Sequence, residues 1–470
     1  MVQAEIGLVG LGVMGSNLAL NIAEKGQVIA VSNRTSERTG AFFEAAGDLR
    51  QRIVPCAGLE ELVRAIRPPR PVIIMVQAGD PVDQQIAALL PLHSKGDLLI
   101  DAGNANYRDT VRRIAALEGS GVDFLGVGVS GGEEGARLGP SIMAGGRAEA
   151  YRRVEPVLTA IAARYNGDAC SAWVGPDGAG HFVKTIHNGI EYADMQMIAE
   201  IYAILRDGLG RSAGEMAALF EQWNEGRLNS FLIEITASVL SAADPMTGKP
   251  IVDVIRDTAG QKGTGRWAAI EAQELGIPAT AIESAVAARS LSALKGERGH
   301  AAGLYETSTR RIEGGIDTAI LEAALYAAKI AAYAQGFAVM QGASTTHGWQ
   351  LPMSTIARIW RAGCIIRSIF LDAIASAYDR DAALPNLLVA ESFIPSIRET
   401  EGALRQTVSA AVLAGIPVPA LSAALAYLDD YRRPRGTADL IQAQRDFFGA
   451  HGFERLDIDG HHHGPWGMPG

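Results

Sequence analysis

Residues 4–35 read AEIGLVGLGVMGSNLALNIAEKGQVIAVSNRT, and this stretch decides the fold of the first third of the chain. AEIGLVG is a short apolar strand, GLGVMG at 10–15 matches G-x-G-x-x-G, SNLALNIAEKG continues as a helix ending at Gly26, and VIAVS is the next strand. A glycine motif alone is weak evidence; between a strand and a helix it has a mechanism. Gly10 permits the tight turn, Gly12 lets a pyrophosphate reach the backbone, and Gly15 lets helix and strand pack closely. The helix start then offers unpaired N–H groups to phosphates. Gly10, Leu11, Gly12, Val13, Met14 and Gly15 are therefore predicted to bind a dinucleotide. At the end of the second strand, where an NAD-preferring site usually has Asp or Glu, stand Asn33, Arg34 and Thr35. An arginine there can grip a ribose 2′-phosphate through two charge-assisted bonds, which favours NADP.

Further apolar runs, PVIIMV at 71–76, DLLIDAG at 97–103 and VDFLGVGV at 122–129, alternate with helical or turn-rich segments. The alternation predicts a doubly wound parallel sheet. Ligands of such sheets bind beyond the carboxyl ends of the strands, which places Val76, Gln77, Ala78, Asn104 and the Ser130-Gly131-Gly132 turn around the cofactor. The glycine-dense stretch 130–146 reads equally as a tight surface loop or as an anion nest made by Ser130 and adjacent amides.

After about residue 177 the pattern becomes long, alanine-rich and helical, implying helices packed on helices. The first such helix, GAGHFVKTIHNGIEYADMQ at 178–196, puts Lys184, His187, Asn188 and Glu191 on one face at i, i+3, i+4 and i+7. Phe182, Val183, Ile186 and Ile190 hold the other face. A polar stripe is most often a solvated surface. Here it follows a glycine-rich approach and a complete nucleotide-binding pattern, so it is expected to face the cofactor. A faint repeat runs through this half: Trp223-x-x-Gly226 with Ser230 recurs as Trp360-x-x-Gly363 with Ser368, and Gly276-Ile277-Pro278 recurs as Gly415-Ile416-Pro417. This suggests a duplicated helical unit whose second copy lacks the polar stripe. Lys262 in QKGTGRW and Arg289 in a later helix are ordinary surface cations or phosphate ligands. The three adjacent histidines at 461–463 read as solvated tail, since neighbours cannot all point at one metal ion without strain.

Composition sets the outer bounds. A chain of 470 residues exceeds one ordinary core, and 48% hydrophobic with 20% charged residues is that of a globular protein. The net charge of −10 argues against nucleic acid or an anionic membrane as partner. Cys56, Cys170 and Cys364 make neither a disulfide framework nor a zinc pattern, so reduced thiols and a cytoplasmic location are expected. No signal-peptide pattern opens the chain, and the uncharged run 406–428 is broken by Gly415, Pro417 and Pro419 into two helical pieces and a turn.

GLGVMGSNL, NRT, DAGNANYRDT, GVSGGEEGARLGPS, GAGHFVKTIHNGIEYADMQ, QKGTGRW, WRAGCIIRS and QRDFFGAH together resemble the decarboxylating 6-phosphogluconate dehydrogenases, from residue 4 to the C-terminus. The resemblance implies an NADP-binding Rossmann-like domain at 1–177, an all-α catalytic and dimerisation domain with an internal duplication at 178–434, and a tail at 435–470 that reaches the partner subunit. It implies a cytoplasmic homodimer with shared active sites and no metal. The implied reaction is the NADP-dependent conversion of 6-phosphogluconate to ribulose 5-phosphate and carbon dioxide in the pentose phosphate pathway. A non-decarboxylating β-hydroxyacid dehydrogenase and an inactive NADP(H)-binding protein are the competing expectations. By resemblance Lys184 is the general base and Glu191 the general acid. Asn104, Ser130, Gly131, Gly132, His187, Asn188, Tyr192, Lys262 and Arg289 bind substrate, with Arg445 and His451 supplied by the partner subunit. Three positions depart from the family pattern: Gln77 replaces a usual Lys, Ala102 a usual Gly and Ala105 a usual Ser. Losing the cation at Gln77 is expected to weaken the hold on phosphate-bearing ligands.

Overall fold

The computed structural model describes residues 3–305 and 310–466, so the last four residues of the predicted tail lie outside the described residues. By compactness the chain divides after Ala424, and the two units are described separately.

In the first unit the strands are β1 Ile6–Val9, β2 Ile29–Ser32, β3 Ile53–Pro55, β4 Pro71–Ile74, β5 Leu98–Asp101, β6 Asp123–Ser130, β7 Ser141–Gly146, β8 Arg164–Tyr165, β9 Asp168–Ala169 and β10 Ser171–Gly175. Among the described residues eight of them form one sheet in the order β10-β7-β6-β5-β4-β1-β2-β3, and β8 and β9 pair separately. Period-two alternation divides the apolar residues between the two faces. Ile6, Leu8 and Val31 pack in one core cluster. Val9, Ala30 and Val72 pack in another. A sheet buried on both sides needs helices on both sides, which is the doubly wound arrangement.

The strands from β3 to β6 run parallel. The far edge corrects the all-parallel expectation: β7 is antiparallel to β6, and β10 runs parallel to β7. The link from Ser130 to Ser141 is shorter than the dozen or so residues a crossover needs, so the chain turns back beside the strand it left. The stretch 130–146 is thus neither of its two alternatives in full. It holds a short helix, Gly132–Leu138, and the strand β7.

The glycine loop behaves as its motif requires. Gly10 has φ +103°, and a Cβ at Gly15 would lie 1.9 Å from the Gly10 carbonyl oxygen, whereas a Cβ at Gly12 would meet nothing within 4 Å. Helix Val13–Glu24 follows directly.

Helix Ala179–Ala203 leaves β10 and is buried along most of its length. A Cβ at Gly180 would come within 2.3 Å of the Gly126 carbonyl oxygen, so this helix lies directly on the sheet. On its other side runs helix Thr318–His347, where a Cβ at Gly336 would meet Ile190 at 2.5 Å. The predicted stripe is therefore polar but not solvated: Lys184, His187 and Asn188 are all buried. The run 406–428 divides as expected, between helices Ile394–Leu413 and Pro419–Tyr431. Among the described residues no helix is long and apolar enough to cross a membrane.

In the second unit the tail is largely exposed, as expected, yet ordered. Helix Ala438–Gly449 is followed by the strands Phe453–Glu454 and His461–His462, which pair antiparallel. Asp446 is 3% exposed. It accepts from the backbone N–H of Gly452 and Gly464, from the His463 ring at 2.6 Å and from Trp466 Nε1 at 2.8 Å. A carboxylate wrapped by donors, rather than an apolar core, orders this segment, and it holds the Asp446 carboxyl far below the usual range. Among the described residues no group of three or more His, Cys, Asp or Glu side chains is placed to hold a metal ion.

Candidate active site

Lys184 is 6% exposed, and its Nζ donates to Ser130 Oγ at 3.0 Å and to Asn188 Oδ1 at 2.8 Å. His187 continues the network: Nε2 lies 3.2 Å from Ser130 Oγ and Nδ1 lies 3.1 Å from Asn188 Oδ1. Lys184 Nζ also lies 3.4 Å from His187 Nδ1, so the imidazole is bound into the network from both ring nitrogens. Helical spacing supplies Lys184, His187 and Asn188 from one face, and the end of β6 supplies Ser130 opposite them. The close fit needs Gly128, because a Cβ there would lie 2.5 Å from Lys184 Cβ.

Burial dominates the electrostatics. It pushes the Lys184 ammonium below the ordinary lysine range, against the pull of the Glu191 charge and of Cys364. It holds His187 well below its usual range, with the Lys184 charge adding to the effect, so the imidazole is neutral. Glu191, one turn beyond His187, moves the other way: burial raises its carboxyl, opposed by Lys184 and Arg289 and reinforced by Asp194. Its side chain is 20% exposed, and its Oε2 stands 3.8 Å from His187 Nδ1. One helix thus carries an amine with weakened proton affinity and a carboxyl with strengthened proton affinity. That is the pairing a proton-abstracting and proton-returning site requires.

Tyr192 is buried beside this cluster, and the Arg289 guanidinium stacks over its ring at 3.5 Å. Such stacking orients a cation without neutralising it. Trp360 meets the His187 ring edge-on at 5.4 Å and donates its N–H to Met143 Sδ. The repeat marked Trp360 in the sequence, but only packing shows it as the wall behind His187.

Two clefts flank the glycine loop. One, of about 720 Å³, is lined by residues 12–15, 75–79, Ala102, Gly103 and Asn104, and on the far side by Lys262 and Trp267. The other, of about 600 Å³, is lined by Gly10, Asn33, Arg34, Thr35, Arg38 and Gln77 among others. Asn33 Oδ1 accepts from Leu11 N at 3.0 Å, so the residue before Arg34 also fixes the glycine turn. The open space above Gly12 and the two arginines at the outer cleft fit a dinucleotide carrying a 2′-phosphate. Arg38 and Trp267 escaped the sequence reading. Arg38 lies four residues after Arg34, in the first turn of helix Ser36–Ala45.

The predicted residues thus fall into three sets. Ser130, Lys184, His187, Asn188, Glu191 and Tyr192 share one region, with Gly131 and Gly132 at the turn after β6. Asn104 and Lys262 line the larger cleft, together with Val76, Gln77 and Ala78. Arg445 and His451 belong to the second unit, where Arg445 bonds Gln442 and the His451 ring meets Phe448. Of the three departures, Gln77 is exposed and lines both clefts, whereas Ala102 and Ala105 are buried.

Comparison with known proteins bears on this arrangement. Residues 5–175 match the model of the NAD binding domain of 6-phosphogluconate dehydrogenase, and residues 180–466 match that of the 6-phosphogluconate dehydrogenase C-terminal domain. The chain is 49% identical, over 99% of its length and 100% of the relative's, to the NADP(+)-dependent, decarboxylating 6-phosphogluconate dehydrogenase of Bacillus subtilis. It is 47% identical, over 98% and 99%, to the NAD(+)-dependent, decarboxylating enzyme of the same organism. It superimposes on a Plasmodium falciparum 6-phosphogluconate dehydrogenase, solved apo and with NADP+ and 6-phosphogluconate, with a TM-score of 0.95, 41% identity and coverage of 98% and 100%.

Proposed function

The chain belongs to the 6-phosphogluconate dehydrogenase family, and on that premise we propose how its own residues carry the reaction. It converts 6-phosphogluconate to ribulose 5-phosphate and carbon dioxide, with NADP as oxidant. The observation that carries the assignment of roles is the pairing of Lys184 and Glu191, shifted in opposite directions, on one buried helix. NADP, held by residues 10–15, 33–35 and 76–78 with Asn104, would supply the nicotinamide that takes the hydride from C3 of the sugar acid. Lys184, whose hold on its proton burial weakens, takes the proton of the 3-hydroxyl. Ser130 and Asn188 hold its amine in place, and neutral His187 leaves no competing charge beside it. In the β-keto acid that results, protonated Lys184 faces the C3 oxygen and stabilises its negative charge as carbon dioxide leaves. Glu191, whose carboxyl burial raises above its ordinary range, then delivers a proton to C1 of the enediol.

Asn104, Gly131, Gly132, Tyr192, Lys262 and Arg289 are proposed to orient the substrate, the two cations gripping its phosphate. Residues 10–15, 33–35 and 76–78 with Asn104 hold NADP. The functional division is proposed at 1–177, 178–434 and 435–470. We place the protein in the cytoplasm, where its three free, buried cysteines remain reduced. It is proposed to work as a homodimer. Support comes from helix Ala438–Gly449, which leaves Leu440, Ile441, Phe447 and Phe448 between 56% and 74% exposed. By family likeness Arg445 and His451 complete the phosphate site of the second subunit.

The deciding experiment measures NADP reduction with 6-phosphogluconate while trapping carbon dioxide. Equal yields of NADPH and carbon dioxide are expected. NADPH without carbon dioxide would indicate a non-decarboxylating dehydrogenase, and neither product would overturn the reading.

A further inference from the structure

The larger cleft has two walls from distant parts of the chain, and one buried carboxylate ties them together. Glu271, 3% exposed, lies on helix Thr264–Glu274, one turn after Trp267. Its Oε1 accepts from Arg108 Nε at 2.8 Å, and its Oε2 accepts from Arg108 Nη2 at 2.8 Å and from Tyr107 Oη at 2.9 Å. Tyr107 and Arg108 open helix Tyr107–Leu117, whose Asp109 lines the cleft and whose N-cap Asn106 follows Asn104 closely. Across the cleft, Trp267 and Lys262 stand on and just before the Glu271 helix. Tyr107 is also packed edge-on against Phe182 of the Lys184 helix at 5.1 Å and against Trp349 at 5.7 Å. Two segments that line the cleft therefore meet at one carboxylate, and the Tyr107 ring links them to the Lys184 helix.

We propose that Glu271 is a positioning residue: its fork with Arg108 and its bond to Tyr107 set the gap between the Asn104 wall and the Lys262–Trp267 wall. The inference rests on the reading of this cleft as the NADP and 6-phosphogluconate site. A two-pronged carboxylate–guanidinium contact fixes angle as well as distance. The Lys262 segment 256–262 is exposed and outside regular structure; it runs directly into the Glu271 helix and is tied at Asp257, Ala259 and Gln261 to Lys295, Arg298, Ser292 and Ser290. Burial and the Glu271 bond also raise the Tyr107 phenol above its ordinary range, so its O–H remains a donor throughout neutral pH. Neither Glu271 nor Arg108 touches the Lys184–Ser130–His187 network, so the pair governs how ligands are held and not the proton transfers.

The test uses the full chain with Glu271→Gln, Arg108→Met and the double variant. NADP affinity is measured by calorimetry, and KM for 6-phosphogluconate and kcat by NADPH formation. Each single variant is expected to raise the NADP Kd and the substrate KM by roughly tenfold, about 1.4 kcal/mol of binding, with kcat at saturation held within about twofold. The double variant is expected to be no worse than the poorer single one, because both remove the same contact. A protein that had merely lost stability would instead lose kcat with its active fraction and keep its KM. Unchanged Kd and KM, a fall confined to kcat, or additive losses would each overturn the proposal. Arg108 is about half exposed, so Arg108→Met still reads the contact if Glu271→Gln fails to fold. Wild-type protein that binds NADP but does not oxidise 6-phosphogluconate would refute the functional reading, and the Kd comparison would still decide the clasp.

Discussion

As the proposed base, Lys184 depends on surroundings that weaken its hold on a proton. A free lysine at pKa ~10.4 is almost wholly protonated at neutral pH. Here burial lowers that value, and Ser130 and Asn188 position the amine without adding a second charge. Lys184→Met should therefore leave NADP affinity nearly intact while turnover falls by ~10²–10⁴-fold, the usual worth of a positioned base. Turnover within about tenfold of wild type would remove Lys184 from that role. The cofactor assignment also rests on single residues. Two Bacillus subtilis relatives of nearly equal identity carry opposite cofactor designations, so overall likeness does not choose between NAD and NADP. Arg34, with Arg38 beside it in the outer cleft, offers the chemical reason for NADP. Arg34→Glu should raise the Kd for NADP much more than that for NAD, since a carboxylate repels a 2′-phosphate yet can accept from a ribose hydroxyl. Equal losses for both cofactors would show that Arg34 does not read the phosphate.

At the scale of elements, the two long central helices are joined by polar contacts that no local pattern announced. Lys329 and Asp194, both fully buried, meet through two bonds of 2.7 Å between helices Ala179–Ala203 and Thr318–His347. Lys329→Met should destabilise the fold by roughly 3–5 kcal/mol, because Asp194 is left as a buried, uncompensated charge. Adding Asp194→Asn should recover much of that loss in a denaturant titration, and a double variant as unstable as the single one would refute the account. The same helices also cap each other's neighbours. Glu200 accepts from the N–H groups of Ala420 and Leu421, and Gln335 accepts from that of Ala281. Burial pushes the Glu200 carboxyl up to about 7. Its unfolded value is the ordinary 4.5, so between those values the folded chain holds a proton that the unfolded chain has released. Stability from this group is thus full below 4.5 and declines as pH rises to about 7. Glu200→Gln removes the titration, so the melting temperature of the variant minus that of wild type should grow from pH 5 to pH 7.5. A flat difference would show that Glu200 titrates normally. Sequence reading found the elements and the stripe, since both follow from local periodicity. It missed Glu271, Lys329 and Glu200, because a buried charge is recognisable only beside a partner brought from far along the chain. It missed the reversal at β7 because strand direction depends on the path of the connection.

On the scale of the whole molecule, the repeat and the tail raise the question of what completes the site. The repeated motifs meet: Ser230 and Ser368 form an antiparallel bridge, Phe231 N donates to the Arg367 carbonyl and Ile369 N to that of Asn229. Equivalent positions facing each other are what a duplicated unit folded upon itself would produce. The proposed base and acid, Lys184 and Glu191, both lie in the first copy. The tail was legible only as polar and glycine-rich. Its order comes from the four donors gathered by Asp446, a device without a sequence period. Phe447 and Phe448, flanking that ordered carboxylate on an exposed helix face, are large apolar groups that a second subunit would cover. If Arg445 serves the other subunit's site, neither site is complete in a monomer, and defects in Lys184 and Arg445 must complement. A Lys184→Met chain paired with an Arg445→Ala chain puts both defects in one site and none in the other. Random subunit exchange gives heterodimers as half of all dimers, each with one intact site, so activity should return to about a quarter of wild type. Mass spectrometry verifies the heterodimer, and NADPH formation from 6-phosphogluconate reads the outcome. Verified heterodimers that stay as inactive as both parent homodimers would place Arg445 outside the partner's site.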